Sequence, residues 1–317
     1  MSRQLRTTTI TLNPAIDQTI TVSNFRTGEV NRVVSTRSDP GGKGVNVASI
    51  LADYGLPVVV TGFLGADNDQ IFRHLFEQKG IDDRFVRISG RTRTGIKVVD
   101  PLRQRTTDIN FPSEAPSSAD LEQLFAVFDG LLAECDWFVF SGSLPAGVPV
   151  TLYRDLIQRA AGKKVALDTS GEAFRRAIAA APAVIKPNIE ELSQYLGRPL
   201  ATDSEVLDAA SGLLRRGVET VVVSMGKQGA LYVEADEAVR ATPPEVVVQS
   251  TVGAGDAMVA GIVAGKQRGL SLPDCARLAT AFSVDAVTHI GSGLTSREAI
   301  ESIAQQVAVT PVSLKSL

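Results

Sequence analysis

A chain of 317 residues, 44% hydrophobic and 21% charged, has the apolar surface to bury a sizeable core and too little polarity for a disordered protein. Its formal charge of -3 provides no general attraction to nucleic acid or to an anionic membrane, so an anionic ligand needs a local site. The 2 cysteines, Cys135 and Cys275, cannot form a disulfide framework, and the 2 histidines, His74 and His289, stand outside any Cys/His cluster, which excludes a typical zinc site.

The N-terminal string MSRQLRTTTITLNPAID lacks the apolar segment of a signal peptide, and no run approaches the ~18 apolar residues of a membrane span. No membrane association is expected, and a reducing cytoplasm fits best. Short β-branched runs at Thr8–Leu12, Val58–Phe63, Trp137–Ser141, Lys164–Asp168, Val184–Pro187 and Thr220–Ser224 read as strands. They alternate with helical patterns at Val45–Tyr54, Gln70–Lys79, Ala119–Leu132, Thr151–Ala161, Asp203–Arg216 and Gly255–Arg268. This rhythm predicts an α/β fold, a three-layer α/β/α core around a mostly parallel sheet. Gln18–Ser23, Val30–Arg37, Val86–Ile88, Gly95–Val99 and Thr106–Ile109 look like strands without intervening helices. They predict a small β lid, formed by segments near 18–37 and 86–110 and embedded in one domain spanning 1–317.

Six strings carry chemistry. At 40–48, PGGKGVNVA leads into a helix, with Lys43 as a point charge and Asn46 as a two-sided amide. At 90–97 and 107–111, GRTRTGIK and TDINF set cations in the lid. Arg93 and Lys97 are the preferred contacts for an acceptor that already carries phosphate, the alternative being solvated charges that guard a sheet edge. KPNIEE at 186–191 reads either as polar ligands or as a solvated helix start, and SMGKQG at 224–229 as a turn between strands. STVGAGDAMVAG at 250–261 lets glycines 253 and 255 converge backbone N–H groups at a helix N-terminus, an anion hole with Asp256 beside it as a proton acceptor. The same string also reads as a turn with an acidic cap. There is no P-loop and no G-x-G-x-x-G after the first strand.

Together the two glycine strings resemble the N- and C-terminal signatures of the ribokinase-like (PfkB) carbohydrate kinases, over Thr9 to about Ser296. Ser250 departs from the aspartate usual at the start of the second signature, as in phosphofructokinase-like branches of the family. The resemblance implies Gly253, Ala254 and Gly255 as the anion hole and Asp256 as the base. It implies Asp17, in the string T-x-N-P-A-x-D, with Gly41, Gly42, Lys43 and Asn46 as sugar ligands, joined by Arg93, Lys97, Asn110 and Ser141. For the nucleotide it implies Lys186, Asn188, Ser224, Gly226, Lys227, Gly229, Val252, Gly253, Gly255 and Ser283. Asn188 and Glu191 are expected to serve Mg²⁺ through water.

The implied reaction is phosphorylation of D-fructose 1-phosphate by ATP to D-fructose 1,6-bisphosphate, with tagatose 6-phosphate and fructose 6-phosphate as alternative acceptors. A sugar-phosphate-sensing binding protein is the non-enzyme alternative, against which the intact base argues. A homodimer through the lid is expected, with no nucleic-acid partner.

Overall fold

In the computed structural model, which describes residues 5–289, 291 and 293–314, β1 (Thr7–Thr11) is buried along its whole length. Such a run suits the middle of a sheet covered on both faces. The chain leaves the core for β2 (Ala15–Thr21) and β3 (Ser35–Gly41), and returns through α1 (Lys43–Asp53), β4 (Val58–Gly65) and α2 (Gln70–Lys79). The short strands β5 (Asp82–Asp83) and β6 (Val86–Ile88) precede a second excursion, β7 (Thr94–Asp100) and β8 (Arg105–Asn110). Helices and strands then alternate: α3 (Ser118–Glu134), β9 (Trp137–Ser141), α4 (Leu152–Arg159), β10 (Lys164–Asp168), α5 (Gly171–Ala177) and β11 (Val184–Ile185). Next come α6 (Ile189–Leu196), α7 (Asp203–Leu214), β12 (Thr220–Ser224), β13 (Ala230–Val233) and β14 (Ala238–Thr242). The chain closes with α8 (Ala254–Gln267), α9 (Leu272–Val287), α10 (Arg297–Gln306) and β15 (Ala308–Pro311).

The large sheet runs β15-β14-β13-β12-β11-β10-β9-β1-β4-β5, with β6 also on β4. It is parallel from β12 to β5 and antiparallel from β12 to β15. Alternation along each strand divides two cores. On β9, Trp137 and Val139 face α1, α2, α8, α9 and α10, while Phe138 and Phe140 face the layer of α3 to α7. The molecule is therefore the α/β/α fold that the alternating runs predict. Among the described residues no helix is long and apolar enough to cross a membrane.

A separate four-stranded sheet, β3-β2-β7-β8, forms the lid. Its membership corrects the sequence reading in two places. Val86–Ile88 pairs in parallel with Phe63–Gly65 of β4, because Val86 and Ile88 bury their side chains in the core with Phe63. The stretch 30–34 is not strand: β3 begins at Ser35, leaving Val30, Val33 and Val34 exposed. β11 stops at Ile185, short of Pro187, which has no N–H to continue a ladder.

Candidate active site

In an open parallel sheet the carboxyl ends of the strands are where a ligand can approach. Strand parity points Ser141, Asp168 and Lys186 to the face occupied by α1 and α8, because their alternate neighbours Val139, Ala166 and Val184 belong to that core. Asp168 lies in register with Ser141, and the Lys186 N–H donates to the Leu167 carbonyl at 3.2 Å. The three side chains thus form a row under the helix starts. Asp168 is only 1% exposed, accepts a hydrogen bond from Lys43 Nζ at 3.2 Å and pairs with Lys186 Nζ at 3.3 Å.

α8 begins at Gly253, whose φ of 84° lies in the left-handed region and whose position gives the helix no side-chain cap. The first-turn N–H groups of α8 are therefore left to a ligand, where the helix dipole favours an anion. Asp256, 6% exposed in that turn, accepts a hydrogen bond from Asn46 Nδ2 of α1 at 2.8 Å. Burial and then the nearby Asp168 charge push its pKa up to about 6, against the pull of Asn46, Lys43 and Lys186. A carboxylate so placed is poised as a proton acceptor near neutral pH. Burial opposes the charge on Lys43, but Asp168, Asp256 and Glu191 together raise its pKa. A Cβ at Gly255 would lie 3.4 Å from Lys186 Nζ, so both glycine strings and Lys186 meet at one place.

The lid closes the other side. Asp17, Gly95 and Asn110 occupy one cross-strand row, on β2, β7 and β8. Gly95 leaves the room between them: a Cβ there would stand 3.1 Å from Asp17 Oδ1 and 3.3 Å from Asn110 Oδ1. A Cβ on Gly41 would collide with the same carboxylate, at 2.7 Å from Oδ2. Lys97 Nζ donates to Asp17 Oδ2 at 3.0 Å, so this cation is spent on the sugar-ligand candidate. Arg93 instead bonds the amide oxygen of Asn13 at 3.0 Å, and burial lowers its pKa against the pull of Asp17.

At the far side, Asn188 and Glu191 form a reciprocal cap on α6, Asn188 Oδ1 accepting from the Glu191 N–H at 2.8 Å and Glu191 Oε2 from the Asn188 N–H at 2.9 Å. Among the described residues no three acidic, histidine or cysteine side chains cluster to hold a metal. Asn188 Oδ1 and Glu191 Oε2 are both engaged in the α6 cap, so a Mg²⁺ ion, which keeps most of its water, would be met here through water and not by these two oxygens directly. Ser224, whose N–H donates to the Pro187 carbonyl at 3.1 Å, joins this edge to the turn carrying Gly226, Lys227 and Gly229. Gly226 and Lys227 are exposed, Val252 is exposed beside the start of α8, and Ser283 is half-buried on α9.

Ser141, the last residue of β9, is 0% exposed, and its Oγ has no hydrogen-bond partner among the described residues, so it lies in the floor of the site beside Asp168. The hydroxyl at the rim is that of Ser143, which accepts from Asn13 Nδ2 at 3.0 Å. Sequence reasoning missed Asp168, Asn13 and Ser143. The first had a signal: a carboxylate ending an apolar parallel strand. The other two acquire meaning only from contacts 130 residues apart in sequence.

A model of the pfkB family of carbohydrate kinases matches residues 10–299. The 1-phosphofructokinase of Rhodobacter capsulatus is 48% identical over 308 residues, covering 96% of this chain and 98% of its own. The 1-phosphofructokinase of Escherichia coli (strain K12) is 39% identical over 313 residues, covering 98% and 99%. Among solved structures, phosphofructokinase-2 from Escherichia coli in complex with substrates and products superposes with a TM-score of 0.88 at 29% identity, covering 95% of this chain and 99% of that one.

Proposed function

The chain belongs to the pfkB family of carbohydrate kinases, and from that premise we propose that it transfers the γ-phosphoryl group of ATP to the 6-hydroxyl of D-fructose 1-phosphate, giving D-fructose 1,6-bisphosphate and ADP. The acceptor follows the name shared by relatives at 48% and 39% identity over nearly their whole lengths. The observation that carries the chemistry is Asp256, buried at the start of α8 beside uncapped amides, with its pKa raised to about 6.

As the 6-oxygen attacks phosphorus, its proton passes to the Asp256 carboxylate and the bond from phosphorus to the β,γ-bridging oxygen breaks. Charge on the transferring group meets the amides of Gly253, Ala254 and Gly255, with Lys43 and Lys186 alongside. Asp17 and Asn110 accept from and donate to the sugar hydroxyls, and Arg93, hydrogen-bonded to an amide and not to a carboxylate, takes the phosphate already present. Lys186, Ser224, Gly226, Lys227, Gly229, Val252 and Ser283 line the nucleotide side. Asn188 and Glu191 would hold Mg²⁺ through water, and the ion would neutralise the ATP phosphates.

The chain acts as one kinase domain in the cytoplasm, and two copies associate through their lids. The alternation of β2 and β7 supports that contact: Ile20 and Ile96 lie on the face opposite Asp17 and Lys97, next to exposed Ile109 of β8.

A coupled assay of ADP release with fructose 1-phosphate, fructose 6-phosphate and tagatose 6-phosphate tests the reading. Fructose 1-phosphate is expected to have the highest kcat/KM. Preference for another sugar overturns the acceptor, and no ADP release with any of them overturns the kinase.

A further inference from the structure

We infer that Asp168 is a positioning residue for this reaction, whose sealed carboxylate ties Lys43 at the start of α1 to Lys186 beyond β11 and sets both ammonium groups beside the base. The inference deepens the proposed function and rests on Asp256 as that base.

The geometry argues first. One Asp168 oxygen takes a hydrogen bond from Lys43 at 3.2 Å and the other stands 3.3 Å from Lys186 Nζ, so a single carboxylate bridges the sugar-side loop and the nucleotide-side loop. Its backbone is fixed on two sides: the Gly142 N–H donates to the Asp168 carbonyl at 3.0 Å, and the Lys186 N–H to Leu167. Asp168 Oδ1 makes no hydrogen bond among the described residues, and neither does Ser141 Oγ beside it.

Energetics argue second. Asp168 at 1% and Lys186 at 5% exposure are charges taken out of water, an arrangement that commonly costs stability compared with an apolar filling. Such a cluster in the fold of a ligand-binding edge is a functional device more readily than a structural one. The groups acting on Asp256 divide by sign: Asn46, Lys43 and Lys186 favour its ionised form, while Asp168 disfavours it. Removing Asp168 therefore frees two lysines and leaves their charge uncompensated next to the base. Turnover falls, yet Asp256 gives up its proton more easily, a combination that simple loss of packing does not produce.

Asp168→Asn keeps the shape and deletes the charge. At saturating ATP its kcat for fructose 1-phosphate is expected to fall by about 10²-fold, the scale of a misplaced reacting group. The acid limb of its kcat/KM profile is expected to move to lower pH by about one unit, the low end of the effect of a neighbouring carboxylate. A folded variant whose acid limb stays in place overturns the inference. If Asp168→Asn does not fold, Lys186→Met gives the opposite sign, since it removes a cation and leaves Asp168 facing Asp256. Its acid limb is expected to rise, and an unmoved limb overturns the inference. Asp256→Asn run in parallel separates the two claims: near-normal turnover there removes the base itself, and the role of Asp168 falls with it.

Discussion

Every residue of β1 and β9 is buried, whereas every residue of β8 is exposed and β3 is buried only at Gly41. The two sheets meet at one site but bring different physics to it. The strand ends of the large sheet, roofed by α1 and α8, remove Asp256, Asp168 and Lys186 from water, so that charges there act strongly on one another. The lid keeps Asp17 and Lys97 half-buried and Asn110 exposed, side chains that can exchange water for sugar hydroxyls at little cost. Under the proposed function this contrast is a division of labour: the central sheet would tune the proton acceptor, and the lid would select and orient the acceptor sugar.

The strongest test of that division is Asp256→Asn, expected to keep the fold and lower kcat by roughly 10²- to 10⁴-fold. Near-normal turnover would move the base elsewhere. On the lid side, Arg93→Met is expected to raise KM for fructose 1-phosphate by about 10- to 100-fold through loss of a charge-assisted contact, with kcat far less affected. Steady-state kinetics with each substrate varied in turn checks this, and a loss confined to kcat would erase the distinction between the sheets.

The pH profile sharpens the central-sheet half. With the Asp256 pKa near 6, kcat/KM is expected to fall about tenfold per pH unit below that value. The same carboxylate has a signed effect on stability. Its pKa is raised in the folded state, from the ordinary 3.8 to about 6, so the fold binds its proton more tightly than the unfolded chain does. Ionising it therefore costs stability: nothing below pH 3.8, increasingly through 4–6, and fully above 6. Asp256→Asn should be more stable than the parent at pH 8, by as much as about 3 kcal/mol, and unfold at a higher temperature. The two should converge near pH 4, as thermal denaturation at several pH values can show. The smallest stability effect belongs to the lid. Ile109→Asp is expected to shift a dimer to monomer in light scattering while leaving stability at high dilution within about 0.5 kcal/mol. An unchanged dimer would place the contact elsewhere.

Much of this was legible in the chain. β-branched runs and helical periodicity located the parallel sheet because its strands are buried on both faces and read as continuous apolar stretches. Trp137–Ser141, Lys164–Asp168 and Thr220–Ser224 coincide with strands residue for residue. Val86–Ile88 misled because a three-residue strand carries no sign of its partner. Only the packing of Val86 and Ile88 with Phe63 assigns it to the large sheet. The glycine strings announced close backbone approach, which a Cβ at Gly41, Gly42 or Gly44 would block, and a left-handed turn at Gly253.

What the sequence determined by itself was the inventory: an α/β core, two glycine-rich helix starts, and Asp256 beside one of them. Only the tertiary structure decided how these act together. Asn46 and Asp256 are 210 positions apart yet share a hydrogen bond, and Asp168 reaches 125 positions to Lys43. It also buried Ser141 in the floor of the site and set Ser143 at the rim. The physical reason is that burial and charge proximity, which raise the proton affinity of Asp256, are properties of neighbours in space and leave no local trace in the chain.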